Sequence, residues 1–279
     1  MIGSNAMLVD INISMWTARK MDKKVSEEID ASKSTKARAG NYHKKLLAGS
    51  DKLEKVQKIA TAVRAWNYQQ TLPWSDGGSR LLPMKSFFDY KQTLNNFENQ
   101  FNSAVDDFLL EYPQLVSSSA FTLGDLFNRG EYPTVESLKE RFRFKYVFCP
   151  VPDAGDFRID VEEQAKCELQ QQYKDYYQEK LNSAMKDAWD RLHDTLTHLS
   201  ERMDYTDENK KKFWDSTITN ATELCGLLTS LNVTGDAKLE EMRQKLEKTL
   251  SGVEPSVIRE SEAVRSSVKS KVDEILSMF

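Results

Sequence analysis

Few residues in this chain have the type and spacing that chemistry requires. His193 and His198 stand five positions apart. Metal-binding pairs on a helix use steps of three or four so that both imidazoles leave the same face, whereas five steps turn the second ring about 140° from the first. With only His43 left, a histidine-based triad would need distant partners, and no G-x-S-x-G turn is present to hold a nucleophilic serine. Gly77-Gly78-Ser79-Arg80 lacks the spacing with which amides and a lysine cradle phosphates, and reads as a bend. Asp107 and Glu111 share a helical face while Asp106 points about 100° away; such acids ordinarily form a solvated face. Cys149, Cys167 and Cys225 form no CxxC pair, and their odd number argues against a disulfide framework. The expectation is reduced thiols in a cytosolic setting. No catalytic residue, metal ligand or cofactor is assigned, and the chain reads as non-enzymatic.

Cations are the stronger signal. Residues 17–58 hold 12 Lys or Arg against 6 acids, whereas residues 85–140 hold 4 basic and 9 acidic groups. Lys20, Lys23, Lys24, Lys33, Lys36, Arg38, Lys44 and Lys45 form a candidate electrostatic footprint for phosphates, with Tyr42 and His43 among them. Against this stand the absence of a recognised DNA or RNA module and a pI near 5.6. A charge run of this kind is usually a solvated connector.

The elements that position these residues follow from periodicity. Residues 8–15 alternate, with Val9, Ile11, Ile13 and Met15 on one side, and predict a half-buried strand. A second alternation at 142–149 puts Phe142, Phe144, Tyr146 and Phe148 on one face, and residues 157–160 offer a short return strand after a Pro/Asp/Gly turn. A two-stranded hairpin is marginal alone, so the first strand is the natural third member of a small antiparallel sheet. The rest reads as helix. Arg38–Gln70 and Met84–Tyr112 carry apolar residues at steps of three and four, Pro113 stops the second, and a loop by composition at 71–83 makes them antiparallel neighbours. From Val161 to Met203 the same steps predict a continuous helix about 60 Å long. Glu208–Leu231, Asp236–Leu250 and a last stripe starting at Pro255 supply helices to lie along it.

The 279 residues thus predict a mainly α fold: an elongated helical bundle with a long coiled-coil hairpin and a minor β component. The expected division is a helical region with the sheet at 1–160 and a coiled-coil or helical bundle at 161–279. No run of about 18 apolar residues is present to span a membrane. A pore-forming tongue at 142–148 would carry Arg143 and Lys145 into lipid at high cost, so no membrane partner is expected.

The segment Ile11-Asn-Ile-Ser-Met-Trp-Thr-Ala-Arg-Lys20 resembles the opening of an uncharacterised family from bacteriophages and conjugative elements. That family begins with a strand ending in W-[ST]-[AG]-R-K and continues as mostly helix. Its members are often encoded beside a MoxR-like AAA+ ATPase and a cobaltochelatase-like von Willebrand protein. The resemblance implies a phage or mobile-element adaptor or regulator that binds such an ATPase or a host defence factor, and it supplies no catalytic residues. Trp16, Arg19 and Lys20 are the candidate partner-binding residues, since Trp and Arg are favoured in interface hot spots; a tryptophan so placed more often plugs the seam between sheet and helices. Exposed heptad stripes suit homo-oligomerisation. The alternatives are a helical protein that binds DNA ends or single strands and blocks host nucleases, and a virion or assembly component.

Overall fold

The computed structural model describes residues 5–75, 78–152, 163–206 and 213–279. In chain order it contains β1 (Ala6–Ser14), β2 (Arg19–Met21), α1 (Lys23–Ser32), β3 (His43–Lys45), α2 (Asp51–Gln70), β4 (Leu72–Pro73), β5 (Arg80–Pro83), α3 (Phe87–Leu123), α4 (Val135–Lys139), β6 (Arg143–Pro150), α5 (Glu163–Met203), α6 (Asp215–Leu231), α7 (Ala237–Leu250), α8 (Pro255–Glu260) and α9 (Glu262–Leu276). Helix dominates, with a small sheet in the order β4-β5-β1-β6 and a separate ribbon of β2 and β3. β1 runs antiparallel to β5, Ala6 facing Pro83 and Val9 facing Arg80, and β4 is antiparallel to β5. The strands expected at 8–15 and 142–149 are β1 and β6; the one expected at 157–160 lies outside the described residues. Among the described residues no helix is long and apolar enough to cross a membrane.

The chain forms two compact units drawn from interleaved stretches. One comprises Met1–Asp10, Asn67–Tyr90 and Val147–Phe279. Its core is the helical stripe of α5: Leu181, Ala184, Ala188, Leu192, Leu196 and Leu199 are buried, and α5 packs on α9, α6 and β4 while α7 packs on α6 and α9. Earlier members of the same stripe, Ala165, Leu169, Tyr173 and Tyr177, are only half-buried. The other unit comprises Ile11–Trp66 and Lys91–Tyr146. In it Lys52 meets Glu111 at 2.9 Å, Lys55 meets Asp107 at 3.5 Å, and the Trp66 and Phe97 rings lie 5.4 Å apart. Rising numbers on α2 thus meet falling numbers on α3, the antiparallel arrangement expected from the connection at 71–83. Phe144 packs tilted against Phe101 and Phe142 edge-on to Phe108 of α3, which buries both side chains and leaves Tyr146 half-buried.

Three helix boundaries and one connection differ from the sequence expectation. Residues 38–50 are not helical: His43–Lys45 pairs with Arg19–Met21, and Gly49 at φ +82° turns the chain into α2. The loop expected at 71–83 contains β4 and β5. Pro113 does not end α3, which runs on to Leu123. A mid-helix proline costs about 3 kcal/mol, and the buried side chains that follow it, Val116 and Ser119, supply packing to offset that. The last stripe is two helices rather than one, because Ser261 is extended (φ −117°, ψ 109°) and its hydroxyl caps the N-terminus of α9.

Arginines complete these interrupted helices. Arg80 and Arg191 donate to the carbonyls of Tyr68, Gln69 and Thr71 just at the end of α2. Arg265, almost wholly buried, donates to the carbonyls of Ile258 (2.9 Å), Arg259 (3.4 Å) and Tyr205 (3.2 Å) and stacks 3.9 Å over the Tyr205 ring. Replacing it strands buried acceptors. Arg265→Met is expected to lower stability by about 2–4 kcal/mol, read as a lower urea midpoint at unchanged slope. Arg259→Met, which removes the exposed pair with Asp215, should cost less than about 1 kcal/mol.

Candidate functional site

The groups that the sequence offers for catalysis are placed apart or already engaged. The His193 ring packs against Phe279, centroids 5.0 Å apart, while His198 Nε2 accepts from Arg202 at 3.2 Å. Asp107 and Glu111 face lysines of α2. Burial pushes the Cys225 thiol up to about 11, which makes it inert at neutral pH. Among the described residues no group of three or more His, Cys, Asp and Glu side chains converges as metal ligands do.

The cationic segment, in contrast, is a built structure. Trp16 is buried, its ring edge-on to Tyr112 at 5.8 Å, so it plugs the core and does not offer itself to a partner. Burial in turn raises the Tyr112 hydroxyl to about 12, and that hydroxyl donates to the Pro133 carbonyl. Two residues on, Ala18 takes a left-handed φ of +51°, and its carbonyl accepts from Leu46 N–H at 2.7 Å. The ribbon starts there. Arg19 faces Lys45, Lys20 faces Lys44 and Met21 faces His43. Asp22 then caps α1, its carboxylate accepting from Val25 N–H at 3.2 Å.

Lys44 is the exception among the cations, and it leaves the candidate nucleic-acid set. Only 5% exposed, its ammonium lies 3.0 Å from Asp22 and 2.9 Å from Glu131 and donates to the Leu126 carbonyl at 2.8 Å. Burial alone would lower its pKa, but the contacts with Glu131 and Asp22 outweigh that and hold it above the ordinary lysine range. The same lysine, together with the Val25 N–H, holds the Asp22 carboxyl below the ordinary carboxylate range. Arg38 is also engaged, 3.3 Å from Glu27 and 3.7 Å from Asp30.

Arg19, Lys20, Lys23, Lys24, Lys33, Lys36 and Lys45 remain. All are exposed, and none has a carboxylate partner among the described residues. Four of them, Arg19, Lys45, Lys23 and Lys24, are placed against local electrostatics. Arg19 and Lys45 are like charges directly across a ribbon, and Lys23 and Lys24 sit in the first turn of α1, which holds no acid, at the positive end of the helix dipole. Each placement costs a few tenths to about 1 kcal/mol. Glu28 is the one acid of α1 that escapes pairing with Arg38. A cleft of about 330 Å³ at the start of α2 is lined by Arg19 and Lys45 but also by Asp51 and Glu54, so its charges offset one another. The cations therefore form a surface, not a pocket.

Composition identifies the cations that remain, but not which lysine is buried. Asp22, three residues before Val25, has the form of an N-cap; Glu131 stands 87 positions from Lys44 and nothing local announces it. Compared with family models, curated proteins and solved structures, the chain matches none.

The ionic contacts at Lys44 set a pH dependence. A depressed carboxylate contributes stability above its unfolded pKa and loses it as pH falls through the folded value; a raised ammonium contributes below its unfolded pKa and loses it as pH rises through the folded one. Stability from this site should be flat between about pH 5 and 10 and decline below about pH 4 and above about pH 10.5. In Asp22→Asn the acid limb is expected to flatten, so urea midpoints of variant and parent converge as pH drops below 4.

Proposed function

We propose that this chain is a non-catalytic binding protein that holds the phosphate backbone of a nucleic acid on the surface formed by β2, α1 and β3. One observation carries the reading: exposed cations with no carboxylate partner among the described residues stand where they repel one another or oppose a helix dipole, at a cost in stability. A polyanion relieves those repulsions and returns counterions to solution. The neighbouring lysines, Lys52 and Lys55, are matched with acids of α3. The engaged histidines, acids and thiol support binding rather than catalysis.

A second reading is the adaptor of a mobile-element AAA+ ATPase or regulator of a host defence factor that the Ile11–Lys20 resemblance implies. It is favoured by the exposure of Arg19 and Lys20, the last two residues of that segment. In this reading the half-buried stripe at 165–177 of α5 belongs to a coiled-coil hairpin that pairs with a second copy, and the phage origin and cytoplasmic setting come with the resemblance.

Salt separates the two. Log affinity for a labelled oligonucleotide should fall linearly with log salt, and Arg19→Glu and Lys45→Glu should each reduce the slope by about one. The cores beneath are untouched, so circular dichroism should not change. Absence of any complex at low salt removes the nucleic-acid reading, and capture of an ATPase by the parent but not by Arg19→Glu would favour the adaptor.

A further inference from the structure

We propose that the cleft beside Tyr42 takes an unpaired nucleobase, so that the surface described above prefers single strands to duplex; this rests on the phosphate-binding reading. The cleft, about 330 Å³ and open to solvent, lies between α1 and residues 39–42, and is lined by Ile29, Asp30, Lys33, Ala39 and Tyr42. Its walls are largely apolar. Ile29 is 47% and Tyr42 37% exposed, and the Tyr42 ring makes no ring contact and its hydroxyl no hydrogen bond among the described residues.

The tyrosine is presented on a fixed backbone. Its N–H donates to the Ser26 hydroxyl at 2.9 Å, its carbonyl accepts from Asp22 N–H at 2.9 Å, and the buried Ser26 hydroxyl donates in turn to the Asp22 carbonyl at 2.6 Å. Asp22 is the residue that Lys44 holds in place. The far wall is pinned as well: Ala39 N–H donates to the Asp30 carboxylate and Thr35 N–H to the Asp30 carbonyl. Fixing the backbone sets the direction in which the side chain leaves the chain, so only the two side-chain torsions remain to be ordered on binding.

Charge selects the occupant. Asp30, the one carboxylate of the cleft, is occupied by Arg38 and the Ala39 amide. Lys33 lines the cleft, Lys36 follows three residues on, and neither has a carboxylate partner among the described residues. An apolar slot with an exposed aromatic and the Lys33 ammonium in its lining fits a flat ring tethered to phosphates. Every base has a π face, and stacking on an aromatic side chain is worth about ten- to hundredfold in affinity per base. In a duplex those faces are already stacked, and presenting one costs unstacking.

The test measures anisotropy of labelled oligothymidine and of a duplex of equal length against the full chain, with Tyr42→Ala, Tyr42→Trp and Lys45→Glu beside the parent. The parent should prefer the single strand by about tenfold or more. Tyr42→Ala should lose that preference while keeping its duplex affinity and salt slope; Tyr42→Trp should retain it, and Lys45→Glu should weaken both ligands alike. A parent that binds strand and duplex equally, or a Tyr42→Ala variant with parental preference, overturns the base site and leaves the phosphate surface standing. No binding of either ligand at low salt overturns both. Unchanged circular dichroism of Tyr42→Ala, expected because Tyr42 is held through its main chain, rules out unfolding as the cause.

Discussion

The candidate surface depends on one buried charge. An ammonium taken out of water loses several kcal/mol of hydration, and Lys44 recovers it from two carboxylates and a carbonyl. Those partners come from two places: Asp22 at the start of α1, and Leu126 and Glu131 in the segment after α3. The side chain thus ties a two-stranded ribbon, too small to be stable alone, to the helix that follows it and to a segment more than 80 residues away. Without this tie, residues 19–45 would be the mobile, solvated connector that their composition suggests. With it, their remaining cations are displayed at fixed positions.

Fixed position is what gives the charges meaning. Mobile lysines spread apart and avoid one another; lysines on a ribbon and at a helix start cannot. The acids needed to neutralise them are present in the same unit, since residues 85–140 are rich in carboxylates. Three of them, Glu111, Asp107 and Glu131, pair with Lys52, Lys55 and the buried Lys44, and none of these pairs reaches the ribbon's exposed cations. What is left unpaired is therefore a selective remainder of the charge run.

The long helices and the two main strands were legible because their signals are local. The alternation of Phe144, Tyr146 and Phe148 and the stripe from Leu181 to Met203 each follow from the period of one element. What sequence concealed depends on partners distant along the chain. The two short strands of the ribbon contain no apolar alternation at all: Arg-Lys-Met opposite His-Lys-Lys is held by main-chain bonds and by what Lys44 finds beneath it. Pro113 reads as a stop because local sterics say so, while Val116 and Ser119, buried one turn beyond it, carry the helix onward. The interleaving of the two compact units was hidden for the same reason, since composition changes along the chain and contacts do not follow chain order. Tyr42 was noticed among the cations, but its exposed ring on a pinned backbone is a property of three hydrogen bonds around Asp22 and Ser26.

Cations serve two opposite purposes in this chain, and net charge conceals both. In one unit, the guanidiniums of Arg80, Arg191 and Arg265 turn inward and complete helix ends whose carbonyls would otherwise lack donors. In the other, Arg19, Lys20, Lys23, Lys24 and Lys45 turn outward with no carboxylate partner among the described residues. Summed over 279 residues, these and the acids give −4, a value that says little about what an approaching phosphate meets. At physiological salt a charge is felt over about 8 Å, so the field at the ribbon is set by Arg19, Lys45 and their neighbours and not by the chain average. An acidic protein can therefore present a basic surface, provided that its structure holds the cations together against their mutual repulsion, as the Lys44 tie does here.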